Sequence, residues 1–487
     1  MSGTDEQYDT GTLWKQDRDH YIHPWTDFST FKQEGSLVLA ESEGAYVYDS
    51  DGNRYLDGIG GLWCVNIGYG NEEMAQAIAE QVRRIPYYST FTHLTTPPAA
   101  ELAAKLAELT PGSLNHVFYG TGGSMSNDTA IRIIHFYFNR LGRKKKKKII
   151  SRIDGYHGST YLAMSMTGVK FDHQGFDLAP DLVHHIPSPN TYRRPDGMSE
   201  DEFCREKAAD LENKILELGA ENVACFIAEP IMGAGGVIVP PKGYHRLTRE
   251  ICDKYEVLYI SDEVVTGFGR LGHFFASEAV FNFEPDVITC AKGISSGYLP
   301  LSATLLSQDI YEVISVPQAE GALFTHGFTY SGHPVACAAG MKNEKRETFQ
   351  ESASAAFRQR SKRSFSRPSL PPCRQRIRYM RAKLSSPCRI SRMACLCSST
   401  CWTTAALAGI SSLSSAGVGR TTSCRCRTWV SVSWCVSSVF KGMFMSVFPF
   451  PCVRIKKAPA GLPVGAFWSP VAAWVACRAA FLVVFGR

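Results

Sequence analysis

The amino-acid sequence changes its pattern near residue 340, and this change limits which part of the chain can form a regular fold. Up to about Gly340, segments with the apolar spacing of helices alternate with short apolar runs typical of buried strands. Beyond it, residues 341–487 contain 17 Arg and 7 Lys but only 3 Glu and no Asp, and they hold 10 of the 16 cysteines. The prediction of helices and strands therefore applies to the first 340 residues.

The formal net charge of +6 conceals two segments of opposite charge. The first 340 residues carry 28 basic and 43 acidic side chains, whereas the rest has a large positive excess. An acidic body with scattered cysteines and no secretion-signal pattern is typical of a reduced, cytoplasmic protein. The basic run at 143–148 is interpreted as a solvated loop rather than a nucleic-acid site. A chain of 487 residues is long enough for two or three domains.

Two polar residues follow short apolar runs and are expected at one edge of a sheet. Asp262 ends the run LYISD, and Lys292 follows the run VITCA. Because open α/β sheets bind ligands at the carboxyl ends of their strands, both side chains should lie at that edge. This arrangement suits pyridoxal phosphate, since the amine can bond to the cofactor aldehyde and the carboxylate can pair with the pyridinium nitrogen. Taken singly, the two residues are more simply a surface lysine and a helix-capping acid.

A glycine-rich turn between a strand and a helix is a candidate phosphate site. The run NHVFY is followed by GTGGSMSND and then by a segment with helical apolar spacing. Backbone N–H groups at a helix N-terminus bind anions, so Gly122, Gly123 and Ser124 are the predicted phosphate contacts. A dinucleotide fingerprint is the competing interpretation, but Met125 stands where its third glycine would fall.

The strings DEVVTGFGRLG at 262–272 and AKGISSGYLPLSA at 291–303 resemble the class III aminotransferases, the ω-transaminase group of fold type I pyridoxal-phosphate enzymes. The resemblance implies an α/β fold whose large domain has a mainly parallel, seven-stranded sheet, with a small domain that is incomplete here. It assigns residues 1–60 to the small domain, 61–340 to the large cofactor-binding domain and 341–487 to the anomalous tail. Ser126 departs from the alanine that is more usual in the glycine turn.

The resemblance also implies roles for cofactor-binding side chains. Lys292 would carry the cofactor covalently and act as the catalytic proton carrier, and Asp262 would pair with the ring nitrogen. Tyr156 would stack on one ring face and Val264 would pack on the other. The remaining implied cofactor contacts are His157, Glu229 and Thr329, the last reaching the phosphate of a neighbouring subunit. Without the family match, Tyr156 would be read as a core-edge aromatic and Thr329 as a helix cap.

The implied substrate pocket contains Trp63, Phe91 and Ala234, although core packing explains Phe91 equally well. An aromatic, largely uncharged pocket suits an amine donor that has no carboxylate beside its nitrogen. Diamines, ω-amino acids and aryl-alkyl amines remain open as donors, with pyruvate or a similar oxo-acid as the acceptor. The family implies a homodimer, and no metal, nucleic acid or membrane partner is expected. A pyridoxal-phosphate decarboxylase or aminomutase on the same fold is an alternative.

Four explanations compete for the tail. A nucleic-acid-binding arm accounts for the arginines but not for the tryptophans and cysteines. A metal module would need CxxC spacing, whereas the tail has CxC pairs. A membrane anchor at 471–485 is shorter than the ~20 apolar residues that a span needs. The preferred hypothesis is a reading-frame slip near residues 340–346, which removes the family's carboxylate-binding arginine and leaves open a non-catalytic or unstable remnant of a transaminase.

Overall fold

The computed structural model describes residues 8–317, 319 and 323–344. The tail predicted at 341–487 therefore lies outside the described residues, apart from its first four. Within the described part of the chain, no helix combines the length and the apolar content that a membrane crossing requires.

The N-terminal part forms helices and a small antiparallel sheet. Its elements are α1 (Thr10–His20), α2 (Phe28–Glu34), β1 (Leu39–Glu43), β2 (Tyr46–Asp49) and β3 (Arg54–Leu56), with the strands in the order β1-β2-β3. A single turn, α3 (Gly60–Trp63), follows, and all four of its residues have positive φ. Two longer helices, α4 (Glu72–Arg84) and α5 (Pro97–Leu109), lead into the main sheet.

The main sheet has seven strands and is mainly parallel, which confirms the predicted fold class. Its strands are β4 (Leu114–Gly120), β5 (Lys148–Arg152), β6 (Val183–Ile186), β7 (Val223–Ala228), β8 (Leu258–Asp262), β9 (Val287–Cys290) and β10 (Ser302–Ser307). They lie in the order β4-β10-β9-β8-β7-β5-β6, and only β10 runs antiparallel to its neighbours. All six residues of β7 are buried, as expected for a central parallel strand covered on both faces.

Helices cover both faces of this sheet. They are α6 (Gly123–Arg140), α7 (Tyr161–Met166), α8 (Glu200–Leu218), α9 (Tyr244–Lys254), α10 (Gln308–Ile314) and α11 (Pro334–Glu344). One core cluster packs Ile131 and Ile134 of α6 against the sheet, and another packs Leu211 and Ile215 of α8 against the opposite face. The charged helix α8 begins at a capping box in which Ser199 and Glu202 satisfy each other's backbone N–H groups.

The basic run at 143–148 is not simply the solvated loop that the sequence suggested. Lys146 is buried, and its ammonium donates to the carbonyl oxygens of Val223, Tyr255 and Glu256 at 2.8–3.2 Å. Burial lowers the pKa of Lys146 to about 8. The prediction was wrong for this residue, because one lysine of the run points inward and joins the end of α9 to β7.

The end of α11 places a carboxyl group in the core. Glu344 is only 4% exposed, and its carboxylate accepts no hydrogen bond of ordinary geometry from a described residue. Burial raises the pKa of Glu344 from 4.5 to about 8, against the opposing effects of Asn343 and Lys105. Since the folded state favours the neutral form, this site is best suited to an apolar side chain.

We expect Glu344→Leu to raise the free energy of unfolding at neutral pH by a few kcal/mol, because a shift of one pKa unit corresponds to about 1.4 kcal/mol. In the parent chain, the stability that protonated Glu344 contributes is complete below pH 4.5 and is lost as the pH rises through about 8. Denaturant unfolding at a series of pH values should show this decline in the parent chain and a flatter profile in the variant. An identical pH profile in both proteins would contradict the prediction.

Candidate active site

The ends of β8 and β9 bring the predicted lysine and carboxylate to adjacent strands. Asp262 is the last residue of β8 and pairs in register with Thr289 of β9. Lys292 begins a 3₁₀ turn, Lys292–Ser295, two residues after β9 ends. The sequence prediction that both lie at the carboxyl edge of one sheet is confirmed.

Asp262 is held by a buried network of polar side chains. Asn127 of α6 donates through Nδ2 to Asp262 Oδ2 at 2.8 Å and to the carbonyl oxygen of His157 at 2.7 Å. His157 Nδ1 lies 2.8 Å from the same carboxylate oxygen, and Thr289 Oγ1 donates to Asn127 Oδ1 at 2.7 Å. All four side chains are buried. The network therefore fixes the direction of the carboxylate.

The second oxygen of Asp262 binds the backbone of Val264, whose side chain packs beside the glycine turn. Asp262 Oδ1 accepts a hydrogen bond of 3.1 Å from the backbone N–H of Val264. A β-carbon built on Gly123 would lie 2.9 Å from Val264 Cγ1. Glycine at 123 therefore lets the backbone of the turn approach the end of β8, as the packing role predicted for Val264 requires.

The glycine turn lies at the N-terminus of the 18-residue helix α6, directly after β4. The N–H of Gly122 donates to Ser302 Oγ at 3.1 Å. The next N–H groups, of Gly123 and Ser124, belong to the first helical turn, where no intrahelical acceptor exists. Ser124 Oγ accepts from the N–H of Ser159 at 3.0 Å, so the turn also contacts the loop that carries Tyr156.

Glu229 links two loops at this edge. Its carboxylate accepts from the N–H of Tyr156 and from the N–H of Gly233, each at 2.9 Å. Burial raises the pKa of Glu229, an effect that Asp262 reinforces and His157 opposes. Glu229 thus positions the backbone beside the predicted stacking tyrosine and beside the loop of Ala234, whose own side chain is exposed.

Lys292 lies in a strained backbone conformation at the start of its turn. Its φ of 47° falls in the left-handed region, which is uncommon for residues other than glycine and is often found at functional sites. Among the described residues, its ammonium makes no hydrogen bond or ion pair, and the side chain is half-buried. Partial burial raises the pKa of the Cys64 thiol, an effect opposed by the nearby Lys292 and Arg270 cations.

The left-handed turn that carries Trp63 is attached to the loop after β8. The guanidinium of Arg270 donates to the carbonyl oxygen of Trp63 at 3.2 Å and to Asn66 Oδ1 at 2.6 Å. Trp63 itself is half-buried, with a φ of 60°. Cys64, the next residue, packs beside the segment that follows Lys292, since its Cβ would lie 3.1 Å from a β-carbon at Gly297.

Phe91 and Thr329 belong to a separate part of the surface. Both are exposed, and their segments contact each other: Phe91 Cε1 would lie 3.2 Å from a β-carbon at Gly327, and Tyr87 donates to the carbonyl oxygen of Thr329 at 2.7 Å. Their described contacts are thus with each other's segments rather than with Asp262 or Lys292.

The side chains at this edge fit pyridoxal phosphate. The first turn of α6 presents N–H groups suited to a phosphate, and Gly123 lets this turn approach Val264, with which a β-carbon would clash. The buried carboxylate of Asp262 suits a protonated ring nitrogen, and Lys292 supplies an amine with no hydrogen-bond partner in the described part of the chain. His157 Nε2 is also buried and lacks a hydrogen bond among the described residues.

The carboxyl edge of this mainly parallel sheet carries a lysine, a carboxylate held by hydrogen bonds and a glycine turn. This arrangement defines a pyridoxal-phosphate enzyme of fold type I. The family model for class-III aminotransferases matches residues 30–363. This chain belongs to the class-III aminotransferases, a family that uses pyridoxal phosphate to transfer amino groups, and the predicted family, cofactor and enzyme class are confirmed. The matches do not favour a decarboxylase or an aminomutase.

Several curated relatives match most of the described region. A putrescine–pyruvate aminotransferase of Pseudomonas aeruginosa is 46% identical over 326 residues, covering 67% of this chain and 70% of the relative. A vanillin aminotransferase of Capsicum chinense is 45% identical and is covered over 67% of its length. A γ-aminobutyrate transaminase of Oryza sativa is 44% identical and is covered over 60%. The chain thus spans 60 to 70% of the length of these three relatives.

Solved ω-transaminases have the same fold. A thermostable (S)-enantioselective enzyme from Thermomicrobium roseum matches with a TM-score of 0.67 at 43% identity, covering 72% of this chain and 76% of that one. An enzyme from Pseudomonas jessenii, solved in complex with PMP, matches with a TM-score of 0.67 at 41% identity, covering 70% and 75%.

Two residues of the Asp262 network had no assigned role in the sequence prediction. Asn127 lies in the quoted glycine segment, but nothing in the sequence indicated that it contacts a carboxylate 135 residues away. Thr289 reads only as part of an apolar run. A polar residue in a strand buried on both faces was the available signal, because such a group needs a hydrogen-bond partner.

Proposed function

We propose that this chain binds pyridoxal 5'-phosphate through Lys292 and transfers an amino group from an amine or ω-amino acid to pyruvate or a similar oxo-acid. The observation that supports this proposal best is the position of Lys292, two residues after the end of β9, which is the strand next to that of Asp262. The carboxylate of Asp262 is itself fixed by Asn127 and His157. A lysine that served only solubility would not need a strained backbone and a buried carboxylate beside it.

Different residues of the chain have different proposed roles in catalysis. Bound at this edge, pyridoxal phosphate supplies a ring that withdraws electrons from the carbon beside the substrate nitrogen. Asp262 keeps the ring nitrogen protonated, and Asn127 and His157 hold the carboxylate in place. Lys292 would remove the proton from the substrate carbon as a base and deliver it, as an acid, to C4′ of the cofactor, the carbon of its aldehyde group. The donor would leave as a carbonyl compound in the first half-reaction, and the oxo-acid would accept the amino group and leave as an amino acid in the second, in ping-pong order.

The phosphate and ring contacts are proposed from the same geometry. Gly122, Gly123 and Ser124 form the turn that would hold the phosphate at the N-terminus of α6. The free donors are the N–H groups of Gly123 and Ser124, because that of Gly122 donates to Ser302. Tyr156 and Val264 would enclose the ring, with the Tyr156 backbone placed by Glu229. The exposure of Thr329 supports its proposed contact with the cofactor of a second subunit in a homodimer. We also propose a cytoplasmic location, from the acidic composition of the first 340 residues.

The proposed substrate pocket is formed by Trp63, Phe91 and Ala234. Trp63 is connected through Cys64 to the neighbourhood of Lys292, and the loop of Ala234 is tied to Glu229. The names of the relatives include a putrescine–pyruvate and a γ-aminobutyrate transaminase, which supports a donor with a terminal primary amine and no adjacent carboxylate. We propose a diamine or an ω-amino acid as the donor.

The purified chain, loaded with pyridoxal phosphate, should form alanine from pyruvate when supplied with such a donor. Putrescine, 4-aminobutyrate, β-alanine and an aryl-alkyl amine would be compared, with an α-amino acid as the reference donor. Chromatography would quantify alanine, and carbon dioxide would be measured in parallel to detect decarboxylation. Absence of alanine with every donor, in folded protein that holds the cofactor, would reject the proposal.

The domain assignment of 1–60, 61–340 and 341–487 remains a proposal, as does the reading-frame slip in the tail. The buried carboxyl of Glu344 supports a slip that begins close to this residue, because an apolar side chain fits that position better. Sequencing of the gene tests it: a one- or two-base change near codon 343 should restore an acidic, periodic C-terminal region. Failure of every such change to do so would reject the slip.

A further inference from the structure

The turn that carries Lys292 cannot keep its shape by local preference alone. Lys292 and Ser296, at its two ends, have φ values of 47° and 52°, in the left-handed region that disfavours residues with a β-carbon. Such conformations cost of order 1–3 kcal/mol each and persist where surrounding contacts fix them. The contacts around the turn therefore determine where the lysine amine points.

One side of the turn is held by the loops that follow α3 and β8. A β-carbon at Gly293 would lie 2.7 Å from Asn66 Nδ2 and 2.7 Å from Phe268 Cβ, so the backbone packs directly on these two residues. Asn66 is itself fixed by donating to the carbonyl oxygen of Phe268 at 2.9 Å. Ser296 Oγ accepts from the N–H of Ile67 at 3.0 Å.

A buried side chain of α11 also holds the turn. Asn343 Nδ2 donates to the carbonyl oxygens of Gly293 at 2.9 Å and of Ile294 at 3.2 Å. The Gly293 carbonyl also accepts from the N–H of Ser296, which closes the turn. Asn343 is fully buried, so water cannot replace its amide. These two bonds connect α11 to the residues immediately after Lys292.

We infer that Asn343 is a positioning residue for Lys292. It acts through the backbone of Gly293 and Ile294 and keeps the strained turn in the conformation that aims the lysine amine. The expected effect of Asn343 on catalysis rests on the proposed function. Its effect on the conformation of the turn does not depend on a cofactor. It also gives α11, the last described helix, a part in the reaction.

Hydrogen–deuterium exchange of the cofactor-free protein tests the effect on the turn. In Asn343→Leu, which keeps the side-chain volume but removes the donor, amides in the peptide covering 291–298 should exchange roughly tenfold faster than in the parent chain. Asn343→Ala is measured in parallel, in case the larger side chain does not fit. Lys342→Ala, on the same helix, removes an exposed ion pair with Glu73 and serves as the control. It should leave exchange in 291–298 unchanged.

Kinetics of the loaded enzyme test the effect on the lysine. Both Asn343 variants should lose roughly tenfold in kcat with less than twofold change in KM, and the pH midpoint of the visible cofactor absorbance should move. A variant that is less stable but keeps the parental exchange in 291–298 or the parental pH midpoint would overturn the inference. If the parent chain binds no cofactor, the proposed function fails, while the exchange measurement still decides whether Asn343 holds the turn.

Discussion

Replacement of Lys292 by alanine is expected to lower the rate of alanine formation from pyruvate by at least about 10³-fold. Proton transfer by a positioned side chain contributes roughly 10²–10⁴-fold to enzymatic rates, and this variant loses the covalent attachment as well. Among the described residues, Lys292 makes no hydrogen bond or ion pair, and it is half-buried, so its removal should leave the fold intact. The measurement is the initial rate with the best amine donor.

The same variant should lose the covalent link to the cofactor. Borohydride reduction followed by peptide mapping should find the adduct on the peptide that contains Lys292 in the parent chain and on no peptide in the variant. Lys254→Ala is a matched control, since Lys254 is an exposed lysine that pairs with Glu212 at the end of α9. Retention of activity in Lys292→Ala, or an adduct at another lysine in the parent chain, would contradict the assignment.

The parts of the site that the sequence could predict are those set by strand ends. β8 and β9 are short apolar runs, and parallel strands leave their carboxyl ends at one edge, so the adjacency of Asp262 and Lys292 followed from pattern and topology. The glycine turn before α6 was predictable because it also follows the end of a strand, β4. Its backbone lies close to the end of β8, and Val264 occupies the space that a β-carbon at Gly123 would need.

The parts that the sequence could not predict depend on contacts between distant residues. The bond from Asn127 to Asp262 spans 135 residues, and the bond from Asn343 to Gly293 spans 50. Both donors are buried asparagines on helices, and no spacing rule identifies their acceptors. Lys146 is a related case, because composition predicts the exposure of a whole basic run but not the one lysine that turns inward.

The exposed positions of Phe91 and Thr329 have no counterpart in the sequence pattern. Among the described residues, their segments contact each other, since Tyr87 donates to the carbonyl oxygen of Thr329 and Phe91 packs beside Gly327. The proposed contact of Thr329 with the cofactor of a second subunit predicts that its side chain becomes buried on association. Phe91 stays a proposed wall of the substrate pocket.

Substitution of Asp262 by asparagine is expected to lower kcat by about 10²–10³-fold, the range found when one preorganised electrostatic group is removed. The amide has nearly the same shape and can still accept from Asn127, but it carries no negative charge to keep the ring nitrogen protonated. The charge is needed as electrons move toward the ring, so KM for the amine should change much less than kcat. Steady-state kinetics across a range of donor concentrations separates the two constants.

The interpretation of this variant depends on the buried network around the carboxylate. His157 Nδ1 faces Asp262 Oδ2 and Asn127 donates to the same oxygen. An amide oxygen placed there turns its NH₂ toward the N–H of Val264, which then loses its acceptor. Asp262→Glu should retain the charge but displace it, and its kcat should fall between those of the parent and the amide variant. Asp253→Asn, which removes an exposed carboxylate paired with Arg249 on α9, controls for loss of charge elsewhere. If Asp262→Asn binds the cofactor and retains parental kcat, the carboxylate does not serve the ring nitrogen.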